Sequence, residues 1–232
     1  MKIYAVSDMH GNLDGLDPSG YDVVVVAGDF ALLDGFGKWC VYEQKKWVQD
    51  EFFKWICRYP DIQFVVVPGN HDMFADPKYQ AAYRDMNFSV SWPLNAKFLV
   101  NSGCEIGGVR FWGTPNVPII NYRWAFESDP NILCRCFSEI PENTDVLVSH
   151  APPRIPGAFV DVSLEYGTDS PAYGSRELAD VVLEKKPRYL FCGHIHSGCH
   201  GRTAFGDTAV YNVSRVNESY EIAYEPTTLE IL

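Results

Sequence analysis

The sequence lacks a long apolar run near its start, an excess of basic charge and a regular spacing of cysteines. It reaches Asp8 after a short apolar stretch, without the hydrophobic segment of a secretory signal, so we expect a cytoplasmic protein. Lys and Arg number 19 against 30 Asp and Glu, which gives a formal net charge of -11. Because such a surface repels polyanions, long nucleic acids and membranes are not expected partners.

The chain also lacks internal repeats, low-complexity tracts and linkers, so residues 1–232 are interpreted as one domain. Its seven cysteines are odd in number and irregularly spaced, which favours reduced thiols over a disulfide framework. A composition that is 47% hydrophobic supports one sizeable core. The sequence leaves the oligomeric state open.

Short apolar runs provide the main signal for the fold. Five of them have the β-branched and aromatic composition of strands that are covered on both faces: residues 3–6, 23–27, 64–67, 146–148 and 189–192. An apolar stripe predicts a helix over 38–58 that ends before Pro60, and Ser175 is the predicted N-cap of a second helix that ends before Pro187. This alternation predicts an α/β layer architecture.

Other segments are typical of antiparallel structure. Short strands are predicted at 98–100, 104–106 and 109–112, with Gly107-Gly108 as a hairpin turn. The last segments, 209–213, 220–224 and 228–232, are predicted to form a meander.

Each of the five apolar runs ends at residues that can bind a metal or transfer a proton. Five of the six histidines lie at these ends, and in open α/β sheets sites form beyond the carboxyl ends of strands. The end residues therefore predict a shared site. They are Asp8, His10, Asp29, Asn70, His71, Asp72, His150, His194 and His196.

The donor types in this set point to divalent cations. Carboxylate and amide oxygens with imidazole nitrogens, and no thiolate, suit Mn, Fe, Zn or Co better than a soft metal. About eight candidate ligands oversupply one ion, so two ions are expected. Asn70 and His71 are adjacent and must point apart, which suggests that one is a ligand and the other does different work.

Taken in order, these residues resemble the signature of the calcineurin-like metallophosphoesterases. The motifs are Asp8-x-His10, Gly28-Asp29, Gly69-Asn70-His71-Asp72, His150 and Gly193-His194-x-His196. The resemblance implies a β-sandwich of two mixed sheets flanked by helices, with a dinuclear metal site at the carboxyl ends of the strands.

The same resemblance implies a division of labour among the site residues. The first ion would be held by Asp8, His10, Asp29 and His196, and the second by Asp29, Asn70, His150 and His194, with Asp29 bridging them. His71 would be the unligated histidine near the phosphate. Mn is the favoured metal, with Fe, Zn, Co and Ni as alternatives.

A looser similarity links the chain to the metallophosphoesterase-domain-containing branch, whose members are associated with phosphodiesters, including cyclic nucleotides. It is carried by Gly113-Thr114-Pro115 with Trp124 and Phe126, by the turn after His150, and by Tyr211-Asn212-Val213-Ser214.

The ligand set and the resemblance together predict a phosphoesterase acting on small phosphodiesters or phosphomonoesters, with diesters preferred and with nucleotides and cyclic nucleotides among the candidates. A hydroxide that bridges two divalent ions would attack phosphorus. His71 would stabilise the developing charge or protonate the leaving group. Asp72 would orient His71, or serve as a helix N-cap or turn acid. The aromatic and basic residues of loops 116–126 and 154–174 either bind substrate or anchor the loops.

Two alternative functions make different demands on the sequence. A Ser/Thr protein phosphatase would carry an arginine soon after Gly28-Asp29, and residues 28–35 have none. A non-catalytic scaffold on the same fold would not need intact ligand positions, which are present here.

Overall fold

The boundaries of the strands and helices follow the apolar runs of the sequence. The computed structural model describes residues 1–33, 35–85 and 89–231. The strands are β1 (Lys2–Val6), β2 (Val23–Ala27), β3 (Gln63–Val67), β4 (Ala96–Phe98), β5 (Ser102–Ile106), β6 (Val109–Thr114), β7 (Val117–Pro118), β8 (Glu127–Ser128), β9 (Val146–Ser149), β10 (Tyr189–Cys192), β11 (Thr203–Phe205), β12 (Thr208–Asn212) and β13 (Thr227–Glu230). The α-helices are α1 (Lys38–Trp47), α2 (Phe53–Cys57), α3 (Pro77–Ala82), α4 (Pro130–Ser138) and α5 (Arg176–Lys185).

The strands form two mixed sheets and a small two-stranded one. The first sheet has the order β13-β1-β2-β3-β4, in which β1 to β4 are parallel and β13 is antiparallel to β1. The second has the order β11-β12-β10-β9-β6-β5, with parallel strands at its centre and an antiparallel strand at each edge. The expected α/β architecture of two mixed sheets flanked by helices is confirmed.

Alternating side chains of the buried strands explain how the layers pack. In β1, Ile3 and Ala5 belong to an apolar cluster shared with Val146 and Phe191 of the second sheet. The intervening side chains point the other way and pack with residues of α1 and α2 in a second cluster. A third cluster joins the outer face of the second sheet to α4 and α5. The strands are therefore apolar on both faces because one face meets the other sheet and the other face meets helices.

Both predicted helices are present. The first runs through α1, a π-helical turn at Val48–Phe52 and α2, and it ends at Cys57, close to the predicted end. Ser175 is the N-cap of α5, where its hydroxyl accepts a hydrogen bond from the amide of Leu178 at 3.1 Å. Helices α3 and α4 were not predicted. Each begins with Asp followed by Pro, at Asp76 and Asp129, which is a helix-start signal in a short segment.

Two antiparallel predictions are wrong. Residues 220–224 form no named strand, and β13 pairs with β1 in the first sheet rather than with β12 in a meander. Strand β4 lies parallel to β3 instead of antiparallel to β5. Local alternation indicates a strand but not its partner, because pairing depends on where the chain returns. Leu232, the predicted end of the last strand, lies outside the described residues.

The predicted hairpin is present, with Ile106 paired to Val109 across Gly107-Gly108. All seven cysteines carry free thiols. Within the described ranges, no helix has both the length and the apolar character needed to cross a membrane.

Candidate metal centre

Strained turns mark the ends of three strands that carry predicted ligands. Asp8, His10, Asp29 and His194 all have positive φ angles, of 53°, 44°, 51° and 70°. This left-handed conformation is unfavourable for residues with a Cβ and costs on the order of 1–3 kcal/mol each. Hydrogen bonds between the turns hold it, including those from the amide of Asp8 to the carbonyl of Gly28 at 3.0 Å and from the amide of His10 to the carbonyl of Asp29 at 2.9 Å.

A first cluster gathers Asp8, His10 and His196, whose candidate ligand atoms all lie within 4.8 Å of one another. Nε2 of His196 lies 3.4 Å from Nε2 of His10 and 3.6 Å from Oδ1 of Asp8. Nδ1 of His196 is 3.1 Å from the carbonyl of Asn217. Because a carbonyl only accepts, Nδ1 carries a hydrogen, which leaves Nε2 as the nitrogen that faces Asp8 and His10 and could bind a metal.

A second cluster gathers Asp29, His150 and His194 within the same 4.8 Å limit. Nδ1 of His150 donates to the carbonyl of Ala27 at 2.9 Å, which directs Nε2 toward Oδ1 of Asn70 at 2.9 Å and Oδ2 of Asp29 at 3.1 Å. The structure thus brings all seven predicted ligands into two clusters, with Asn70 at the edge of the second.

One buried atom tests whether this arrangement suits a cation. Oδ1 of Asp29 accepts the amide of His71 at 2.7 Å, whereas the buried Oδ2 has Nε2 of His150, at 3.1 Å, as its close polar neighbour among the described groups. A buried carboxylate oxygen needs positive charge beside it, which a protonated His150 or a bound cation would supply. Together with the oxygen and imidazole donors around it, this atom shows that the residues fit divalent ions.

The protonation states of two histidines favour ligation. Burial lowers the pKa of His10 to about 4, although the charge of Asp29 opposes the shift. Burial, helped by the charge of His150, lowers the pKa of His194 to about 3. Both imidazoles are therefore neutral near pH 7, the form that binds metals.

The two aspartates remain ionised. Burial pushes the pKa of each carboxyl upward, but neighbouring histidines outweigh it. The hydrogen bond and charge of His196 hold the pKa of Asp8 below its ordinary value, and mainly the charge of His150 does the same for Asp29. In return, burial lowers the pKa of His150, but the charge of Asp29 outweighs it and raises that pKa to about 9. Without a metal, a proton on His150 supplies the positive charge that these carboxylates need.

His71 lies beside the clusters and belongs to neither of the groups found among the described residues. Its Nε2 is 4.0 Å from Oδ2 of Asp29, and its ring centroid is 4.9 Å from that of His10 and 4.1 Å from that of Trp124. Burial lowers the pKa of His71, with Asp29 opposing, so the ring is neutral near pH 7. A neutral imidazole at the mouth of the site can donate one hydrogen bond to a ligand.

Asp72 is fully buried and ties two loops together. Its Oδ1 accepts the amide of Ala31 at 2.9 Å, and its Oδ2 accepts the amide of Gly69 at 2.7 Å. Burial, followed by the charge of Asp29, raises the pKa of Asp72 to about 7. These contacts favour the interpretation of Asp72 as a turn acid that fixes the loops of Asp29 and Asn70, rather than as a partner of the His71 ring.

Sequence reasoning missed Gln44, which is buried on α1. Its Nε2 donates to the carbonyls of Leu32 at 3.0 Å and His71 at 2.6 Å, and its Oε1 accepts the amide of Phe74 at 3.2 Å. The residue ties α1 to the loops that follow β2 and β3. A single polar residue within an amphipathic helix carries no signal of such a role.

The surroundings of Asp8 were also not predicted. Oδ2 of Asp8 accepts hydrogen bonds from the hydroxyls of Ser7 and Ser214 and from the amide of His194 at 3.1 Å. The ring of Tyr220 covers the first cluster, with its centroid 4.9 Å from that of His10. Apart from the adjacent Ser7, these partners come from distant parts of the chain, so no local motif could reveal them.

Comparison with known proteins agrees with this geometry. The profile of the family described as calcineurin-like phosphoesterase matches residues 1–198. The chain therefore belongs to the calcineurin-like phosphoesterase family, whose members are phosphoester hydrolases that typically bind two divalent metals.

Two relatives match almost the full chain. One is UPF0046 protein K07C11.7 of Caenorhabditis elegans, 26% identical over 100% of this chain and 75% of its own length. The other is human metallophosphoesterase domain-containing protein 1, 27% identical over 99% of this chain and 71% of its own length. A solved structure, phosphopantetheinyl hydrolase of Mycobacterium tuberculosis, shares the fold with a TM-score of 0.53 and 17% identity, over 94% of this chain and 90% of that one.

Proposed function

We propose that the protein hydrolyses small phosphate esters, with diesters preferred over monoesters and with nucleotides and cyclic nucleotides among its candidate substrates. The observation that carries this proposal is the pair of clusters, Asp8-His10-His196 and Asp29-His150-His194, with the buried Oδ2 of Asp29 and the unligated His71 beside them. The family membership supports the reaction class.

We further propose that these residues hold two divalent ions, with manganese favoured. Asp8, His10, Asp29 and His196 would bind one ion, and Asp29, Asn70, His150 and His194 the other. Asp29 suits a shared position because its Oδ2 faces His150 of the second cluster, and its charge also acts on His10 of the first. When bound, two such ions neutralise phosphate charge and lower the pKa of a coordinated water.

His71 is assigned to charge stabilisation. Because its pKa is lowered by burial, the ring is neutral near pH 7 and holds one N–H to offer to an oxygen of the ester. A hydrogen bond that strengthens as charge develops lowers the barrier. Trp124 packs against the ring and limits its rotation. Asp72 and Gln44 position the backbone of this loop without contacting the ester.

Small substrates also fit the charge of the protein. With a net charge of -11, the surface disfavours long polyanions, whereas two divalent ions make the centre locally cationic. We therefore keep small esters as the proposed partners and exclude long nucleic acid from the proposal.

The test is hydrolysis of bis-p-nitrophenyl phosphate and p-nitrophenyl phosphate by the Mn-loaded protein. We expect the diester to be the better substrate. We expect Asp29→Asn and His71→Ala each to lower kcat by about 100-fold or more, the size of effect that removal of a stabilising group has in other sites. Asp17→Asn, which changes an exposed carboxylate, is the matched control and should leave kcat unchanged.

The same assay separates the alternatives. A folded, metal-loaded protein that hydrolyses neither ester would contradict the proposal and favour a scaffold. Rapid release of phosphate from phosphoserine peptides, with no action on either nitrophenyl ester, would favour a protein phosphatase.

A further inference from the structure

A cavity of about 420 Å³ lies beside the second cluster, and His194 forms part of its lining. The lining also includes residues 118–120, Arg154, Tyr173 and Arg176. A residue of the candidate metal centre and two arginines therefore share one cavity. Its volume lies within the range of pockets that hold small organic ligands.

Backbone hydrogen bonds fix the two arginines near each other. Pro153 and Ser175 form an isolated parallel bridge, with the amide of Arg154 donating to the carbonyl of Ser175 at 2.9 Å and the amide of Ser175 donating to the carbonyl of Pro152 at 2.9 Å. Arg154 follows His150 by four positions and Arg176 follows Ser175 directly. The positions of both arginines are thus set by the strand end that supplies a candidate metal ligand.

Neither arginine is neutralised by a close ion pair. Across residues 1–33, 35–85 and 89–231, the ion pairs within 4.0 Å involve other basic groups. Glu177, also in the wall, accepts the hydroxyl of Ser175 at 2.9 Å. Asp161 accepts the amide of Gly174 at 3.2 Å, and the charge of Arg154 acts on its pKa from a longer distance. Because the chain has a net charge of -11, two arginines without close ion pairs beside the candidate metal centre favour the binding of an anion at this position.

The loop that carries Ile120, another residue of the cavity lining, is held by Glu127. Its carboxylate accepts the amides of Ile120, Asn121 and Trp124 at 2.5, 2.7 and 2.8 Å. Ile119 and Ile120 add apolar residues to the cavity lining, which also holds Arg154 and Arg176 beside Glu177. The cavity thus combines apolar residues that suit an organic group with two basic residues that suit an anion.

We propose that this cavity is a subsite for a second phosphate group of the substrate, bound by Arg154 and Arg176 while the scissile phosphate lies at the metal centre. Two guanidinium groups offer more N–H donors than the two oxygens of a carboxylate need. The three terminal oxygens of a phosphate can accept hydrogen bonds from both guanidinium groups. This inference rests on the proposed function and narrows it to esters of molecules that carry a second phosphate.

The test compares two chromogenic diesters that differ by one group, namely thymidine 5′-(p-nitrophenyl phosphate) and the same compound with a 3′-phosphate. Charged hydrogen bonds are worth roughly 1.5–3 kcal/mol, so we expect the 3′-phosphate to raise kcat/KM by about tenfold or more. Arg154→Gln with Arg176→Gln should remove this preference and bring the kcat/KM values of the two thymidine diesters close to each other. Arg58→Gln, an exposed arginine after α2, is the matched control and should keep the preference.

A binding measurement separates the subsite from catalysis. In calorimetry with metal-free protein, thymidine 3′,5′-bisphosphate should bind about tenfold more tightly than thymidine 5′-phosphate, and the double variant should lose the difference. Hydrolysis of bis-p-nitrophenyl phosphate with no discrimination in either measurement would overturn the subsite and leave the proposed function standing. Discrimination in binding with no hydrolysis of any ester would support the subsite and overturn the proposed function.

Discussion

The hydrogen bonds of Gln44 allow a quantitative prediction about the loop that carries Asn70 and His71. Gln44 is 1% exposed and satisfies two carbonyls and one amide of the backbone. Gln44→Leu keeps a side chain of similar volume but leaves the carbonyl of Leu32 and the amide of Phe74 without a partner among the described residues, while the carbonyl of His71 still accepts the amide of Met73 at 2.9 Å. At roughly 1 kcal/mol for each of the two groups, the low end for buried unsatisfied groups, the free energy of unfolding should fall by about 2 kcal/mol.

Urea denaturation of the metal-free variant and wild type measures this loss directly. Gln80→Leu is the matched control, because the side chain of Gln80 makes one hydrogen bond within the described residues, to the carbonyl of Phe74, at a half-buried position. We expect the control to lose less than about 1 kcal/mol. We also expect Gln44→Leu to slow diester hydrolysis, since the loop of His71 loses its anchor. A loss at Gln44 no larger than that at Gln80 would refute the reasoning.

Three further predictions concern the ligand loops and the metal. A Cβ at Gly69 would lie 2.6 Å from the amide nitrogen of Asp29 and 2.7 Å from Cε1 of His150, so Gly69→Ala should weaken Mn binding measured by calorimetry. The control, Gly201→Ala, has open space for a Cβ and should bind Mn as wild type does. Equal affinities of the two variants would contradict the geometry. In metal-free protein, the pKa of His150 lies at about 9 in the folded state and near 6.5 in the unfolded state. Its contribution of roughly 3 kcal/mol to the free energy of unfolding is therefore complete below pH 6.5 and is lost as the pH rises through about 9. Urea denaturation at pH 6, 8 and 10 should show this loss in wild type and not in His150→Gln. Mn at 100 times its Kd should add about 2.7 kcal/mol per site to the stability, so chelation should lower Tm by several degrees in a thermal melt, and an unchanged Tm would argue against specific sites.

The sequence predicted which residues lie together better than it predicted how they are supported. Apolar runs locate strands, and polar residues at their carboxyl ends meet because parallel strands end at one edge of a sheet. This reasoning brought Asp29, His150 and His194 together without any knowledge of the pairing. The positive φ angles at the ligands add that the turns are strained, a property that the residue types alone do not indicate.

The supporting contacts depend on long-range packing. Asp72 resembles a catalytic acid in a motif, yet it binds the amides of two loops. The predicted pairing of the terminal strands is wrong for the same reason, because β13 pairs with β1, which lies 222 or more residues away along the chain. Arg154 and Arg176 likewise come close along the backbone through the isolated bridge between Pro153 and Ser175, which are 22 positions apart in the sequence.

The most direct test of the dinuclear centre is the metal content of the purified protein, measured by mass spectrometry after loading with Mn and removal of free ions. The geometry predicts close to two ions per chain in wild type, a lower content in Asp29→Asn, and loss of one ion in His150→Ala. A single ion per chain that His150→Ala leaves in place would contradict the account.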